Sequence, residues 1–192
     1  MEKYEFILKN NQKFIIRKAC EDDAERFLKY FNSVGGETDF LGFGAEGPRV
    51  ALEEEREIFK NSTSKNFFLI AELGEKIIGS CSISTNEKRL RSLHFGELGI
   101  VVLKDYWNLG IGYNLISTAV MLSKKAGLKK INLDTRIDNV KAINLYKKLG
   151  FKEEGIITRG TFINNKFFDL LVMGGCEKKS VNKIINVLNS FL

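Results

Sequence analysis

The sequence predicts a mixed α/β (α+β) protein with a single main domain, and three observations lead to that prediction. Strand-like and helix-like segments alternate along the chain. Its 192 residues include one proline and no low-complexity segment or internal repeat, so nothing marks an interdomain linker. The apolar content of 44% is ordinary for a globular domain, and a chain of this length can bury a core without a metal or a disulfide.

The first half of the chain predicts a strand, two helices and a hairpin. A strand at Phe14–Arg17 leads into a helix over Glu21–Val34, whose apolar residues recur at helical spacing. A second helix spans Ala51–Lys60. The β-rich runs Phe67–Glu72 and Lys76–Ser84, joined by a short turn that contains glycine, predict a hairpin.

A glycine-rich segment between the two helices has an unusual composition. Residues 33–48, SVGGETDFLGFGAEGP, combine several glycines with Phe40, Leu41 and Phe43. Large apolar side chains are uncommon in a loop that is merely solvated. We therefore expect this segment to line a pocket.

The second half predicts a strand, a helix, a strand, a helix and a closing hairpin. These elements are Ser92–Leu103, Gly112–Lys125, Ile131–Thr135, Asn139–Lys148, and the pair Phe151–Arg159 and Lys166–Met173, which turns at Ile163–Asn165. The first strand ends in a β-branched run typical of burial on both faces. Gly150 is a stop signal for the second helix.

The last residues predict an amphipathic helix. Val181, Ile184, Ile185, Leu188 and Phe191 share one face of a helix over Ser180–Leu192. Packing against its own domain is the favoured role, and a homodimer contact is the alternative. The predicted organisation is thus one domain over residues 1–176 and a helical extension over residues 177–192.

Cysteine usage and the N-terminus suggest a reduced, cytoplasmic protein. Cys20, Cys81 and Cys176 are odd in number and lack the spacing of a metal or redox motif, so they predict free thiols and no bound metal. The N-terminus has no continuous apolar run of a signal peptide, and no stretch reaches the length of a membrane span. We expect a cytoplasmic location with no membrane partner.

The charge is moderately basic. Lys and Arg outnumber Asp and Glu by 30 to 24, for a formal net charge of +6. The lysines are scattered, and the cluster KKAGLKK lacks the interleaved aromatic residues of a nucleic-acid platform. A solvated basic surface is favoured over nucleic-acid binding, which stays a hypothesis based on charge alone.

The segment ELGIVVLKDYWNLGIGYNLI carries the main functional signal. A buried strand runs through a loop containing Gly110 and Gly112 into an amphipathic helix. The first N–H groups of a helix lack intrahelical partners and lie at the positive end of its dipole, so they bind anions. Glycine lets the backbone approach phosphate oxygens. Taken alone, this pattern is weak evidence for a phosphate site.

Two phosphate-binding motifs can be compared with this loop. A P-loop requires Gly-Lys-Ser/Thr, whereas Tyr113 and Asn114 follow Gly112 here. A dinucleotide fingerprint is the nearer rival, since Asp134 ends a strand at the place of a ribose-binding acid. Against it, Leu115 occupies the third small position, and several residues separate the strand from the glycines.

A second motif makes the signal specific. WNLGIG resembles the pyrophosphate loop of the GNAT family of N-acetyltransferases, and DNVKAINLYKKLGF resembles the next motif of that family, in the same order. The resemblance covers most of the chain and is weakest at residues 35–64 and after Cys176. It implies a central mixed, mostly antiparallel seven-stranded sheet with splayed central strands, flanked by about four helices, with the C-terminal helix in addition.

The resemblance also implies acetyl-CoA as the co-substrate and names its binding residues. The backbone of Ile100, Val101 and Val102 would pair with the pantetheine arm. The pyrophosphate would be held by Asn108, Leu109, Gly110, Ile111, Gly112 and Tyr113. Asn139 and Asn144 would hydrogen-bond the cofactor, although Asn139 equally suits a helix cap. Trp107 stands where the family most often has Gln or Arg, which need not abolish binding by backbone groups.

The implied reaction is direct attack of a primary amine on the thioester in a ternary complex. A base or a desolvating pocket must provide the neutral amine, and Glu97, acting directly or through a water, is the candidate base, with His94 as its rival. The two should face opposite sides of the strand unless Gly96 marks a bulge. By resemblance, Tyr146 donates to the departing thiolate.

The acceptor lies outside both motifs. The glycine-rich loop with Glu37 and Asp39, and the hairpin around Arg159–Asp169, occupy positions that shape the acceptor side in such folds, and acidic residues there favour a cationic amine. A small amine or polyamine and a protein N-terminus or lysine all stay open. The alternative to an enzyme is a non-catalytic acyl-CoA-binding regulatory module.

Overall fold

The computed structural model describes residues 2–175, which form one sheet of eight strands with helices on both faces. The strands are β1 Lys3–Ile7, β2 Lys13–Lys18, β3 Phe67–Leu73, β4 Lys76–Ser84, β5 Phe95–Val102, β6 Lys130–Arg136, β7 Lys152–Ile163 and β8 Lys166–Gly175. The helices are α1 Ala24–Gly35, α2 Leu52–Lys60, α3 Ile111–Lys125 and α4 Val140–Lys148. The strand order is β1-β2-β3-β4-β5-β6-β8-β7.

The centre of the sheet opens between β5 and β6. These two strands are the parallel pair in an otherwise antiparallel sheet, and they pair only from Phe95–Glu97 to residues 130–132. Beyond Glu97, β5 stays paired with β4 up to Val102. The mostly antiparallel sheet with splayed central strands is therefore confirmed, and the splay leaves one edge of β5 open.

The sheet has eight strands, so the predicted count of seven was wrong by one. The missing strand is β1, which pairs with β2 through the turn that holds Asn11 at φ 66°. Its residues alternate, with Phe6 buried and Glu5 exposed, a pattern typical of an edge strand. In the sequence, this segment was compared only with a signal peptide. Its turn residues Asn10 and Asn11 are the signal that predicts a hairpin.

Neighbouring residues of β4 show how the two helical layers are separated. A Cβ on Gly79 would lie 3.1 Å from the side chains of Ile111 and Leu115, so this face carries α3. Ser80 points to the opposite face, where its hydroxyl lies 3.3 Å from the Tyr30 hydroxyl of α1. The sheet is therefore covered by α3 on one face and by α1 on the other.

A buried ion cluster fixes α1 to the sheet. Arg17 of β2 donates to Asp23 at 2.6 Å and to Glu72 of β3 at 2.7 Å, and Arg26 of α1 donates to both carboxylates. Burial alone would raise the pKa of Asp23, but the hydrogen bonds from the two arginines hold it below its usual range. Removal of one partner would leave a buried charge unpaired, so the cluster sets the position of α1.

The predicted element bounds hold to within three residues, except that β7 continues to Ile163. The closing turn consists of Asn164 and Asn165, both at positive φ. The predicted C-terminal helix over Ser180–Leu192 lies outside the described residues, so the division at residue 176 stays a prediction. Within residues 2–175, no helix is long and apolar enough to cross a membrane.

Candidate active site

A cavity of about 1450 Å³ lies where β5 and β6 diverge. Its walls are the open edge of β5, the first turn of α3, one side of α4, the segment 38–43 of the glycine-rich loop, and parts of β6, β7 and β8. Both halves of the predicted site and the loop predicted to line a pocket thus border one space. The cavity has two ends of different character.

The open edge of β5 presents backbone groups to the cavity. Leu103, just beyond β5, donates its N–H to the Ile78 carbonyl at 3.1 Å. Because antiparallel pairs alternate, the polar groups of Val101 turn to β4, and those of Ile100 and Val102 turn to the open edge. The indole N–H of Trp107 donates a hydrogen bond of 2.7 Å to the Val102 carbonyl. The backbone N–H and carbonyl of Ile100 and the N–H of Val102 then remain to form hydrogen bonds with a ligand.

The loop after β5 has the geometry of an anion site. Asn108 and Gly110 both have positive φ, 64° and 97°, which turns the chain sharply into α3 at Ile111. The first α-helical bond of this turn joins the Asn114 N–H to the Gly110 carbonyl at 3.1 Å, so the N–H groups before it point out of the helix. A Cβ on Gly112 would lie 3.2 Å from Leu145 of α4, so glycine permits the two helices to approach.

Two lysines lie at this end of the cavity, Lys9 and Lys148, and Lys141 in the first turn of α4 also lines the cavity. Lys148 lies over the Tyr113 ring at 5.4 Å, and the backbone N–H of Lys9, from the β1–β2 turn, bonds the Leu109 carbonyl at 3.4 Å. The hairpin that sequence analysis missed therefore contributes to the predicted phosphate loop. Positive charge favours phosphate binding at this end.

The two asparagines of the second motif occupy different positions. Asn139 lines the cavity as the cap of α4, accepting from the Ala142 N–H at 3.4 Å and donating to Thr135 at 3.2 Å. The alternative interpretation of Asn139 as a cap is therefore confirmed. Asn144 is exposed and does not line the cavity, so the structure does not bring it together with the other predicted residues.

Tyr146 lies on the cavity side of α4 and is only 6% exposed. Burial, together with the neighbouring Cys81 and Asp134, raises the pKa of its phenol well above the usual range. A phenol in this environment stays protonated at neutral and moderately alkaline pH. Tyr146 can therefore donate a hydrogen bond but cannot act as a base.

The predicted bases lie apart from Tyr146. No register shift interrupts β5, so Gly96 marks no bulge, whereas His94 lies in the turn before β5 and lines neither cavity. Glu97 lines a smaller cavity of about 410 Å³ rather than the main one. Asp134 lines both cavities, and sequence analysis had not considered it as a base. The available signal was its place near the carboxyl end of the predicted strand Ile131–Thr135.

Arg136 holds the glycine-rich loop over the far end of the cavity. Its guanidinium lies between the rings of Phe40 and Phe168, 4.9 and 3.6 Å from their centres, and donates to the Asp39 carbonyl at 3.3 Å. Two further bonds, of 3.0 and 2.6 Å, join it to the Asp138 carboxylate. The loop is therefore attached to β6 and β8, and no sequence motif indicated this contact.

Comparison with known proteins agrees with this arrangement. The model of the acetyltransferase (GNAT) family matches residues 37–151, from the glycine-rich loop to the end of the second motif. This match covers more than half of the chain. The chain belongs to the GNAT family of acetyltransferases.

As a GNAT protein, the chain is an acyltransferase with related sequences in several organisms. It is 24% identical over 160 residues to a spermidine N(1)-acetyltransferase of Vibrio cholerae, covering 81% of this chain and 91% of that protein. A GNAT acetyltransferase of Streptococcus pneumoniae is 33% identical and superposes with a TM-score of 0.82 over 85% of this chain and 99% of that one.

A second solved structure agrees with the fold. The yncA protein of Salmonella typhimurium, solved with acetyl-CoA, has a TM-score of 0.75 over 85% of this chain and 93% of that chain. At 16% identity, it supports the shared fold alone. The expected GNAT fold is therefore confirmed, whereas the roles of individual residues rest on the geometry above. Within residues 2–175, no cluster of metal-ligating side chains occurs.

Proposed function

We propose that this protein transfers the acetyl group of acetyl-CoA to a primary amine by direct attack within a ternary complex. The observation that carries the proposal is the single cavity that joins the open edge of β5 and the first turn of α3 to Tyr146 and Asp134. A cofactor site and a proton-transfer site therefore share one space.

The residues present fit acetyl-CoA. The free groups of Ile100 and Val102 suit a pantetheine arm laid along the open strand. The loop from Asn108 to Tyr113, including Leu109, Gly110, Ile111 and Gly112, presents helix N–H groups for the pyrophosphate, and the nearby lysines add positive charge. Acetyl-CoA supplies the acetyl group as an activated thioester. Asn139 would act mainly by fixing the start of α4, and a contact from the exposed Asn144 needs the cofactor to reach around that helix.

Two carboxylates are candidates for accepting the proton of the amine. Asp134 faces Tyr146 across the main cavity, and Glu97 reaches the same region only through the smaller cavity, directly or by way of a water. The aqueous pKa of an alkylamine is about 10.4, so a positioned carboxylate must remove its proton before attack. We keep Glu97 as a candidate and add Asp134.

Tyr146 serves the leaving group. Its buried, protonated phenol would donate a hydrogen bond to the sulfur as negative charge develops. Because the pKa of the phenol is raised, complete proton transfer to a thiolate is less favourable than from an ordinary tyrosine. Stabilisation of charge, rather than full transfer, is its proposed contribution.

The experiment is acceptor-dependent release of CoA by the wild type and by a Tyr146→Phe variant. We expect kcat to fall about 10- to 100-fold in the variant with acetyl-CoA affinity unchanged. Since Tyr146 stays protonated, the pH profiles of the two proteins should have the same shape from about pH 6 to about pH 9. Tyr4→Phe, which alters a phenol away from the cavity, is the matched control.

A pair of variants separates the two candidate bases. Asp134→Asn should lower kcat/KM about 100-fold if Asp134 is the base, while Glu97→Gln changes it less than about threefold. The reverse order would assign the role to Glu97. Saturable acetyl-CoA binding without acetyl transfer to any amine or peptide would refute the proposal and support a regulatory acyl-CoA-binding module.

A further inference from the structure

We propose that the acceptor is a primary amine carried on an apolar body, with no carboxylate beside the amine. This inference rests on the proposed acetyl transfer and concerns the end of the cavity remote from the α3 loop. We define this end, the acceptor end, by the residues of α1, the glycine-rich loop, β3 and β8 that line it: Phe31, Phe40, Leu41, Phe43, Phe68 and Leu170.

The walls of the acceptor end are aromatic and continuous with the core. Phe43 of the loop packs on Phe31 of α1 with ring centres 4.8 Å apart, and Phe31 stacks on the buried Phe27 at 5.0 Å. Phe68 joins the same cluster through its edge contact with Phe27 at 5.8 Å. Such walls stabilise an apolar ligand in proportion to the area it buries, and they offer little to a hydrated polar chain.

The charges of the acceptor end favour an ammonium and disfavour a carboxylate. Asp39 and Asp134 line the cavity and supply negative charge. The arginine that lines it, Arg136, is 8% exposed and already bonded twice to Asp138. Of the lysines that line the cavity, Lys9 and Lys148 contact the loop and the first turn of α3. An α-carboxylate on the acceptor would therefore be desolvated beside the negative charge of Asp39 and Asp134, with Arg136 already bonded to Asp138.

Arg136 fixes the loop side of the acceptor end. Arg136 holds Phe40 against its guanidinium and binds the Asp39 carbonyl, so the loop side of the wall is attached to β6. A preformed apolar wall lowers the entropy lost on binding, which strengthens selection by shape and polarity. The selectivity should therefore be visible in small amines, without a larger partner to order the loop.

A polyamine is the critical competitor. The smaller cavity holds Glu97 and Asp134, and it could receive the second ammonium of a diamine. A polyamine bound at the acceptor end, in contrast, would lay its chain against phenylalanine side chains, where each unpaired ammonium is desolvated. The aromatic wall therefore favours a monoamine over spermidine.

The test measures kcat/KM for CoA release at saturating acetyl-CoA with matched amines. From propylamine to hexylamine, the value should rise about three- to fourfold per methylene until the wall is filled. Phenethylamine should exceed phenylalanine by about 100-fold or more, and phenylalaninamide, which lacks the carboxylate, should regain most of the difference. Spermidine should fall below hexylamine.

The test distinguishes failure of this inference from failure of the proposed acetyl transfer. A flat alkylamine series, or a preference for spermidine or phenylalanine, overturns this inference while acetyl transfer stands. No CoA release with any amine overturns the transfer and the inference together.

A pair of variants locates the selectivity. Phe43→Ala should lower kcat/KM for hexylamine about tenfold and that for propylamine little, since only the longer chain reaches the loop. Leu90→Ala, at an exposed residue outside the cavity, should leave the whole series unchanged. An equal loss of kcat/KM for both amines in Phe43→Ala would show that the glycine-rich loop does not form part of the acceptor site.

Discussion

The two ends of the cavity are built in different ways. The end beside α3 consists largely of backbone groups from one stretch of chain, Ile100 to Tyr113, together with the start of α4. The acceptor end is assembled from side chains of α1, the glycine-rich loop, β3, β6 and β8, which are far apart in sequence. Backbone geometry depends on a local pattern of glycines and caps, whereas the acceptor wall depends on tertiary packing.

This difference separates the phosphate-binding loop, which different acyltransferases can share, from the acceptor wall, which can be specific to one protein. A helix N-terminus binds phosphate with little dependence on side chains, so the same loop can serve many acyltransferases. Side chains such as Phe43 and Arg136 can change without disturbing that loop. Mutations in the two ends should therefore affect different kinetic constants, and three predictions test whether they do.

The largest effect is expected from Gly112→Val. A Cβ at this position would lie 3.2 Å from Leu145 and 3.7 Å from Ile100, so the branched side chain would push apart the elements that form the cofactor end. We expect acetyl-CoA to bind about 100-fold more weakly, measured by isothermal titration. The same change at Gly155, where a Cβ meets nothing within 4 Å, is the control. Unchanged affinity in Gly112→Val would contradict the assignment of this loop.

A smaller effect, on the other end, is expected from Arg136→Gln. The change removes the guanidinium from between Phe40 and Phe168 and loosens the loop. The KM for the acceptor should rise about tenfold, while the dissociation constant of acetyl-CoA changes less than about twofold. Arg56→Gln, which alters an exposed arginine of α2 outside the cavity, serves as the control. If acetyl-CoA affinity falls as much as acceptor affinity, the two ends are not independent.

The smallest effect is expected from Trp107→Phe, which tests a side chain within the backbone-built end. The variant keeps an aromatic ring but loses the hydrogen bond to the Val102 carbonyl. The loss of about 1 kcal/mol of positioning energy should weaken acetyl-CoA binding about fivefold and leave the acceptor KM unchanged. Tighter binding would mean instead that the indole competes with the pantetheine arm for that carbonyl.

The fold, and the position of the α3 loop and α4 beside the cavity, could be predicted largely from sequence because their signals are local. Alternation of apolar residues, Gly110 at the loop and Gly150 after α4 each act within a few residues. The strand β1 was missed because an edge strand has a short, half-exposed pattern that also fits an irregular terminus.

The candidate carboxylates were harder to predict. Glu97 lies on the expected strand, but the direction of its side chain and the depth of the splay between β5 and β6 place it in the smaller cavity. In the sequence, Asp134 matched only the ribose-binding acid of the dinucleotide fingerprint. Its position opposite Tyr146 depends on how α4 packs beside β6, which no spacing in the sequence encodes.

The short pairing between β5 and β6 also bears on the stability of the protein. A sheet interrupted at its centre lacks the hydrogen bonds that would join those strands beyond Glu97. A ligand that binds this gap only in the folded state shifts the unfolding equilibrium by mass action, by about 2.7 kcal/mol at a concentration 100 times its dissociation constant. On the proposed assignment, the melting temperature would rise with the concentration of acetyl-CoA, and the abundance of the folded protein would follow the supply of its own substrate.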